Sequence, residues 1–564
     1  MTSTSTGGEA PTGTGTAGTG TAGTGTAGTG TAGTGMPLRG DRILRYVDAF
    51  CPACHAADPE RPLADVRRLA GRLTEQDGRV WLERGCPEHG LQRSLYDEDA
   101  EILRWLERWT APTKAHRPDV DGNFDPVPSA YLRGLGEMQT QHTCILLADV
   151  VEACNLRCPT CFTDSSPDLA GVVPLADVLA NVDTRLAREN GRLDVVMLSG
   201  GEPTLHPELA ELLAALVARP VVRILLNTNG VRIARDDALL DLLRRHRERV
   251  EVYLQFDGVS ERASRHHRGG DLRAIKEQAV ARLSAAGVFT TLTMTAALGV
   301  NDGEIGAVLR LALATPYVGG VSIQPVFGSG RSTPVDPLDR LTHTGVLARL
   351  GPQTDGEVTW HDLTALPCSH PHCCSVGYLL RDDSGRWRSL VALVGAERLE
   401  ANLGLVANRI ADDEVPRELR SAVRESLLGL LSESSSLTHP AFGDLWRDIC
   451  EHCDLGIGTL TKLVASTLPG RRRALRTMLG ERMVRVTVKP FMDIHTMIEE
   501  RLTQCCVHVA SRSDDASGAP VDQCAPFCAV QAWPALARLR LSTAAGRGWD
   551  DGQRRRMLPL VEVH

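Results

Sequence analysis

Long apolar stretches are missing from this sequence of 564 residues. No segment reaches the roughly 18 consecutive uncharged apolar residues that a membrane-spanning helix needs, so we predict no membrane span. The first residues, MTSTSTGGEAPTGTG, lack both the basic and the apolar region of a secretory signal peptide. We therefore expect a cytoplasmic protein, in a compartment that keeps cysteines reduced.

An excess of positive charge is also missing. The net charge is −8 and the isoelectric point is near 6.1, whereas a nucleic-acid-binding surface usually needs clustered basic residues in excess. We therefore expect no nucleic-acid partner. The shares of hydrophobic residues (42%) and charged residues (23%) are ordinary for a folded globular chain, and the length suggests about three domains.

Cysteine, in contrast, is plentiful, with 16 residues. In a reducing compartment, metal binding or catalysis explains so many thiols better than a disulfide framework does.

Changes of composition divide the chain into four regions. Residues 1–36 carry a repeated TAGTG, which has too little apolar bulk to offset the entropy lost on ordering, so we predict disorder there. Met36 directly follows the repeat and is a candidate initiator. The other predicted regions are a small metal-binding domain at 37–120, a core domain at 121–340 and a cysteine-rich region at 341–564.

The core region alternates between strands and helices. Six apolar segments of strand length alternate with amphipathic segments of helical length, which is typical of βα units around a parallel sheet. Six strands are fewer than the eight of a full barrel, so we predict an α/β fold with a partial (β/α)6 barrel. The six segments are CILLADVV, DVVMLSG, VVRILLNTNG, VEVYLQFDG, FTTLTMTAAL and GGVSIQPVF. Ligands are expected at the carboxyl ends of these strands.

Three cysteines follow the first strand, in VEACNLRCPTCFT. They are Cys154, Cys158 and Cys161, spaced C-x3-C-x2-C. Iron–sulfur clusters are held by cysteine thiolates, and three thiolates would leave one iron open for a substrate or cofactor. From the spacing alone, a zinc knuckle or three unrelated thiols are the alternatives.

A glycine-rich segment, SGGEPTLHP, follows the second strand. Gly200 and Gly201 would let a ligand approach the backbone closely. Glu202 offers a carboxylate to a charged amine. Taken alone, this segment could equally be a simple turn.

Together, the two motifs resemble those of the radical S-adenosylmethionine superfamily. The resemblance implies that the three cysteines hold a 4Fe-4S cluster whose open iron binds the amino and carboxylate groups of S-adenosylmethionine. It also implies that Gly200-Gly201-Glu202-Pro203 orients the amine. One electron, from a donor such as ferredoxin or flavodoxin, would cleave the sulfonium and release a 5'-deoxyadenosyl radical that takes hydrogen from the substrate.

One position departs from the superfamily pattern. Many members carry an aromatic residue just before the third cysteine, but this chain has Thr160 there and its aromatic residue, Phe162, comes after.

Polar residues also follow the later strands. By resemblance, Asn227, Gln255, Asp257 and Gln324 would line the pocket for S-adenosylmethionine or substrate. Turn and capping chemistry is the alternative.

The small N-terminal region has the ligand spacing of a metal-binding ribbon. Cys51, Cys54, Cys86 and His89 form C-x2-C-x31-C-x2-H, two chelating pairs on two turns, as in zinc-ribbon or rubredoxin-like domains. The donor set suits zinc, and iron would also be accepted. His55 is a less favoured fourth ligand, because it adjoins Cys54.

The C-terminal region offers further thiols for at least one auxiliary iron–sulfur cluster. The candidate ligands are Cys368, Cys373, Cys505, Cys506, Cys524 and Cys528, with Cys374 beside them. Two clusters would need a histidine such as His370, His372 or His508, or one open iron. Cys450 and Cys453 form a C-x2-C without an assigned role, and we interpret Cys144 as a core residue.

These cysteine motifs narrow the resemblance to one branch of the superfamily. PCSHPHCCSVGY, FMDIHTM, CCVHV and APFCAVQ, with CPAC and CPEHG, resemble tetraether lipid synthase and 7,8-dihydro-6-hydroxymethylpterin methyltransferase-like proteins. The resemblance implies carbon–carbon bond formation or methylation at an unactivated carbon, with a lipid chain as the first candidate substrate and a pterin as the alternative. A peptide-modifying maturase is a further alternative, although the C-terminal cysteine spacings differ from those of that group.

Overall fold

The computed structural model describes residues 42–109, 142–400 and 480–533, apart from 60, 62–64, 190, 333, 383, 398 and 515–519. The TAGTG repeat, Met36, Cys450 and Cys453 lie outside the described residues. Within these ranges, none of the helices has the length and apolar character needed to cross a bilayer.

A four-stranded antiparallel sheet comes first. Its strands lie side by side in chain order: β1 Arg42–Ala49, β2 Leu69–Gln76, β3 Arg79–Cys86 and β4 Gly90–Asp97. Asp77 and Gly78 join β2 to β3 with positive φ angles of 51° and 75°, as a two-residue hairpin turn of the primed type requires. Helix α1, Pro52–Ala57, follows β1, and helix α2, Ala100–Glu107, follows β4.

Six parallel strands form the central sheet. They are β5 Ile145–Val151, β6 Leu193–Gly200, β7 Val221–Thr228, β8 Val250–Gln255, β9 Thr290–Ala296 and β10 Val318–Pro325, each paired with its sequence neighbours. These are the six strands predicted from the sequence. The α/β partial-barrel prediction is therefore confirmed.

Helices connect these strands, as right-handed βα crossovers require. They are α3 Leu175–Arg188, α4 Leu209–Val217, α5 Val231–Arg235, α6 Asp237–His246, α7 Glu261–Arg268, α8 Arg273–Ala285 and α9 Ile305–Ala314. Later helices are α10 His343–Ala348, α11 Leu350–Gln353, α12 Leu390–Val394, α13 Glu499–Thr503 and α14 Phe527–Ala532.

The sheet continues beyond the six predicted strands on both sides. The added strands are β11 Thr364–Ala365, β12 Ser375–Arg381, β13 Trp387–Ser389, β14 Met483–Val488, β15 Val507–Asp514 and β16 Pro520–Pro526. Next to β10, β14 pairs parallel and carries β12, with β11 and β13 pairing to β12. Next to β5, β15 pairs parallel and carries β16. The C-terminal region thus extends the barrel sheet at both ends.

Alternate residues of the strands face two different cores. Leu146 packs in the core between the sheet and the helices, whereas Ile145 and Leu147 pack on the other face, as the two-residue period of a strand demands. That second core contains Phe527 and Trp533 from the end of the described chain. The C-terminal elements therefore fill the concave side of the sheet.

Candidate functional site

The cysteine triplet lies in the loop after β5, at the carboxyl end of the parallel strands. Cys154, Cys158 and Cys161 line one cavity of about 820 Å³, together with residues from the ends of the following strands. The cavity therefore lies at the edge of the sheet where ligands were expected.

The three sulfurs of the triplet are not gathered as closely as the ligands of a single ion. Among the cysteines that the structure describes, Cys154, Cys158 and Cys161 do not form a group with all sulfurs within 4.8 Å of one another. Thiolates of a cubane cluster bind different irons and so stand further apart than ligands of one ion. Burial raises the pKa of the Cys154 and Cys158 thiols, so binding of iron must displace their protons.

Gly200 and Gly201 allow the end of β6 to pass directly beneath the cysteine loop. A β-carbon on Gly200, whose φ is 107°, would lie 2.3 Å from the carbonyl oxygen of Val151. A β-carbon on Gly201 would lie 2.1 Å from that of Ala153. Both glycines line the cavity, but the close approach that requires them is to the chain's own backbone.

Glu202 is almost fully buried and fastens two strand ends. Its Oε1 accepts hydrogen bonds from the backbone N–H of Thr204 (3.1 Å), the Thr204 hydroxyl (2.6 Å) and the Thr228 hydroxyl (2.6 Å). Its Oε2 accepts one from the backbone N–H of Asn229 at 2.8 Å. A carboxylate has about four acceptor positions, two on each oxygen. Oε2 therefore keeps capacity for a ligand amine.

A hydrogen-bonded chain links the strand ends to a buried arginine. The amide of Gln255 donates to Asn227 Oδ1 at 2.8 Å, and Arg268 donates to Gln255 Oε1 at 3.0 Å. Arg268 also makes two bonds of 2.6 Å to the carboxylate of Asp257, and its Nη1 lies 3.8 Å from Cys158 Sγ. Burial alone would raise the pKa of Asp257, but the charge of Arg268 brings it down to about 2. The pair is therefore ionised.

The predicted pocket residues occupy different positions around the cavity. Asn227, Gln255 and Gln324 line it. Asp257 and Pro203 are not among the lining residues. Asp257 pairs with Arg268, which does line the cavity, and Pro203 begins a short 3-10 turn, Pro203–Leu205.

Aromatic side chains form one wall of the cavity. Phe162 and Phe327 line it with ring centroids 6.1 Å apart. Phe491 and Phe527 pack behind them, with centroid distances of 5.5 Å for Phe327–Phe491 and 4.5 Å for Phe491–Phe527. Thr160 also lines the cavity and bonds to Nδ1 of His267 at 3.0 Å. The aromatic ring that lines the cavity next to the third cysteine is therefore Phe162, which follows Cys161, and the residue that precedes Cys161 is Thr160.

A loop after β10 holds the cysteine loop in place. Arg331 donates to the carbonyl oxygens of Cys158 (2.9 Å) and Ser165 (2.7 Å), and it pairs with Asp164 at 2.6 Å. Gly330 has a φ of 53°, and a β-carbon there would lie 2.4 Å from the carbonyl oxygen of Cys161. The last strand of the barrel therefore positions the loop after the first.

The ribbon ligands come together as predicted. Ligand atoms of Cys51, Cys54, Cys86 and His89 all lie within 4.8 Å of one another, with Cys54 Sγ 3.3 Å from His89 Nδ1. Burial alone would raise the pKa of the Cys86 thiol, but hydrogen bonds from the backbone N–H groups of Glu88 and His89 lower it to about 6. This donor set fits one tetrahedral zinc or iron ion. His55 instead bonds to the carbonyl oxygen of Ala532 at 2.6 Å.

The C-terminal thiols are divided among separate places. Cys368 and Cys506 join Cys144, and the three sulfurs lie within 4.8 Å of one another. We call these three residues the Cys144 group. Cys144 is buried, as expected of a core residue, but its sulfur lies 3.2 Å from that of Cys368. The structure thus places Cys144 in the core, as predicted, and also beside two further thiols.

A second set contains Cys373, Cys505 and Cys528, which we call the Cys373 group. Burial raises the pKa of the Cys505 thiol, and the charges of Cys528 and Cys373 raise it further. Arg501 donates from Nε to the Cys373 sulfur at 3.3 Å. Like the cysteine triplet at the cavity, the three sulfurs of this group do not all lie within 4.8 Å of one another.

The remaining candidates have other contacts. Cys524 accepts a hydrogen bond from Arg185 at 3.2 Å. His372 bonds to the Tyr96 hydroxyl at 2.9 Å and to the carboxylate of Glu107 at 3.1 Å.

His508 bonds to the Thr143 hydroxyl at 2.9 Å, and His370 accepts from the backbone N–H of His372 at 3.1 Å. The Cys374 sulfur lies 3.6 Å from the carbonyl oxygen of Ser375.

Three residues of the site were not singled out from the sequence. Arg268 stands in RASRHHRGG among several basic residues, and nothing in the spacing distinguishes it. Arg331 and Arg501 have no local signal, because their partners are 167 and 128 residues away in the chain.

Comparisons with known proteins agree with this geometry. Residues 150–312 match the profile of the Radical SAM superfamily, and residues 43–98 match the HMPTM N-terminal zinc ribbon domain. The 7,8-dihydro-6-hydroxymethylpterin dimethyltransferase of Methanocaldococcus jannaschii is 26% identical over 505 residues, 85% of this chain and 92% of that protein. The GTP 3',8-cyclase of Cronobacter sakazakii is 35% identical over 16% of this chain and 29% of that protein. A radical SAM methyltransferase structure from Sphaerobacter thermophilus is 14% identical, covers 54% of this chain and 79% of that one, and has a TM-score of 0.29.

The two matched segments contain the two metal-binding arrangements. The first holds the cysteine triplet and Glu202, and the second holds the four ribbon ligands. Enzymes of the superfamily use a 4Fe-4S cluster and S-adenosylmethionine, and three thiolates beside a polar cavity fit both. The chain therefore carries a Radical SAM domain at residues 150–312 and an N-terminal zinc ribbon domain at residues 43–98.

Proposed function

We propose that this enzyme methylates a carbon of a reduced pterin. The observation that carries the proposal is the pair of aromatic rings, Phe162 and Phe327, that line the same cavity as the cysteine triplet. A planar heterocycle gains stacking energy against such rings, about 0.5–1.5 kcal/mol per aromatic pair beyond the burial of area. The match to a pterin dimethyltransferase over most of both chains supports the same substrate class.

Residues of the chain divide the work of binding. When bound, the cluster and S-adenosylmethionine supply one-electron cleavage of the sulfonium and the resulting carbon radical. Cys154, Cys158 and Cys161 hold the iron. Glu202 Oε2 accepts from the amine, and Arg268, whose charge Asp257 balances, offers N–H donors on the same side as Cys158.

The apolar wall also has a protective role. Phe491 and Phe527 back the two lining rings, so water has little access from that side. Exclusion of water keeps a radical intermediate from side reactions. The rings therefore orient the substrate and shield it.

The test is an anaerobic assay of reconstituted enzyme with S-adenosylmethionine, a one-electron reductant and 6-hydroxymethyl-7,8-dihydropterin. We expect 5'-deoxyadenosine together with a pterin heavier by one or two methyl groups. Phe162→Ala should raise KM for the pterin while leaving the binding of S-adenosylmethionine nearly unchanged. Phe289→Ala is the matched control, since Phe289 packs on Tyr317 (5.7 Å) and does not line the cavity.

A second candidate is carbon–carbon coupling at a lipid chain. The same phenylalanine wall would pack equally well against an alkyl chain, which gains roughly 0.8 kcal/mol for each buried methylene. A lipid substrate should consume S-adenosylmethionine in the same assay and yield a coupled or methylated chain. If the pterin is unchanged while a lipid or a peptide is modified, the pterin proposal is wrong.

The electron donor and the cellular location belong to the same proposal. Ferredoxin or flavodoxin would deliver the electron, and thiolate-held clusters suit the reducing cytoplasm. Turnover with purified flavodoxin in place of a chemical reductant would test the donor.

A further inference from the structure

The Cys144 group has the donors of a metal site that is separate from the other centres. Cys144, Cys368 and Cys506 are all buried, with at most 4% of each residue exposed. Nε2 of His142 lies 3.2 Å from Cys144 Sγ. His142 does not lie within 4.8 Å of all three sulfurs, so the gathered donors are the three thiols. Thiolate sulfur is a donor that zinc and iron accept.

The sulfur spacing of the Cys144 group can be compared with that of the two other metal-binding arrangements in this protein. In the ribbon, where one ion is expected, the four ligand atoms lie within 4.8 Å of one another. The cysteine triplet of the cavity, where a four-iron cluster is expected, is not so compact. The Cys144 group meets the ribbon's criterion. Its spacing therefore favours one ion over a cubane, whose thiolates are bonded to different irons.

The three thiols come from opposite ends of the extended sheet. Cys144 immediately precedes β5, and Cys506 immediately precedes β15, the strand beside it. The carbonyl oxygen of Cys506 accepts from the backbone N–H groups of Cys144 (2.9 Å) and Ile145 (3.1 Å). Cys368 lies between β11 and β12, at the other end of the strand order. A metal ion here would join the two ends of the curled sheet.

We propose that Cys144, Cys368 and Cys506 bind a single zinc ion that fastens the open side of the barrel. Binding replaces the protons of three thiols by one divalent ion. The site is distinct from the ribbon ion and from the Cys373 group, whose sulfurs are less closely gathered. It needs neither the substrate nor the methyl transfer proposed above.

Counting of metal and sulfide tests the proposal on the full-length protein. A 4Fe-4S cluster contributes equal amounts of iron and acid-labile sulfide, so metal in excess of sulfide counts single-ion sites. Zinc, iron and sulfide are measured on anaerobically reconstituted protein. We expect an excess of two ions per chain, one in the ribbon and one in the Cys144 group. An excess of one would overturn the proposal.

Variants assign the second ion. Cys144→Ser should lower the excess to one and leave the sulfide content unchanged. Cys505→Ser should lower iron and sulfide together and leave the excess unchanged. Cys374→Ser is the control, because that buried thiol belongs to neither group, and it should change nothing.

Two results would contradict the assignment. If Cys144→Ser loses sulfide along with iron, the three thiols of the Cys144 group belong to an iron–sulfur cluster. If the variant keeps an excess of two metal ions over sulfide, these thiols bind no metal ion. Should Cys144→Ser fail to fold, zinc-edge X-ray absorption of the wild-type protein decides. A ribbon site with three sulfur donors and one nitrogen donor and a second site with three sulfur donors are expected, and a signal that accounts for the ribbon alone would refute the proposal.

Discussion

Arg501 directs its Nε at the sulfur of Cys373, 3.3 Å away. The guanidinium is buried, and within the described part of the chain the anionic groups that act on it are thiols and a phenol, with no carboxylate in an ion pair. Its other contacts are the carbonyl oxygen of Pro490 (2.8 Å) and the ring face of Tyr96 (6.0 Å). A buried cation without a carboxylate requires another anion, and a metal-bound Cys373 thiolate meets that requirement.

Removal of this charge should lower the reduction potential of a cluster in the Cys373 group. A hydrogen bond to a thiolate stabilises the reduced, more negative cluster more than the oxidised one. A difference of about 1 kcal/mol corresponds to roughly 40 mV for a one-electron couple. Arg501→Met should show a shift of this order in an EPR-monitored redox titration. Arg501→Lys, which keeps the charge, should recover most of it, and equal potentials in all three proteins would contradict the role.

Glu202→Gln should weaken the binding of S-adenosylmethionine and destabilise the protein. The amide would present N–H groups to donors on Thr204, Thr228 or Asn229, so at least one buried donor would lose its acceptor. The expected cost is about 1–3 kcal/mol. Thermal melting and equilibrium binding measure the two effects. Glu208→Gln is the matched control, since that carboxylate lies outside the cavity lining. A melting temperature of Glu202→Gln equal to that of wild type would show that Glu202 does not hold the two strand ends together.

Asp257→Asn should destabilise the protein more than the double change Asp257→Asn with Arg268→Met. The single change leaves the buried guanidinium of Arg268 without its carboxylate, which costs about 3–5 kcal/mol. The double change removes both charges. Melting temperatures of the two variants, compared with Arg268→Met alone, give the coupling. Additive effects would mean that the ion pair is not the source of the loss.

Asp97 should make stability depend on pH below neutrality. Burial raises its pKa from 3.8 to about 6, despite hydrogen bonds from Thr344. The folded state therefore binds the proton more tightly than the unfolded state does. The stabilisation is complete below pH 3.8 and is lost as the pH rises to about 6, by up to about 3 kcal/mol.

Asp97→Asn is expected to remove this dependence. The variant should have a larger free energy of unfolding than wild type at pH 7.5. This difference between variant and wild type should be smaller at pH 5. Denaturation of both proteins at the two pH values measures the difference, and metal-related effects common to both cancel. A constant difference between pH 5 and pH 7.5 would contradict the raised pKa.

The sequence predicted the parts whose signals are local. Each of the six barrel strands is a short apolar run that ends in polar residues, and the ribbon ligands stand in two compact pairs. Such patterns depend on neighbours within a few residues. The cysteine triplet and Glu202 were found for the same reason.

The parts that the sequence did not predict depend on distant partners. Cys144 meets Cys368 across 224 residues, so nothing near Cys144 in the sequence reveals this contact. Strands β11 to β16 are short or follow long intervening segments, and their pairing at both ends of the sheet has no local signature. Arg268 and Arg331 are single arginines in an arginine-rich chain.

The contact between the two ends of the described chain has a consequence for biosynthesis. His55, in the ribbon, bonds to the carbonyl oxygen of Ala532, 477 residues later, and Phe50 packs on Trp533 with ring centroids 5.4 Å apart. The ribosome releases the ribbon long before its final packing partners exist. The N-terminal residues must therefore wait for nearly the whole chain, and a truncation that removes α14 should leave the ribbon's packing surface exposed to aggregation and proteolysis.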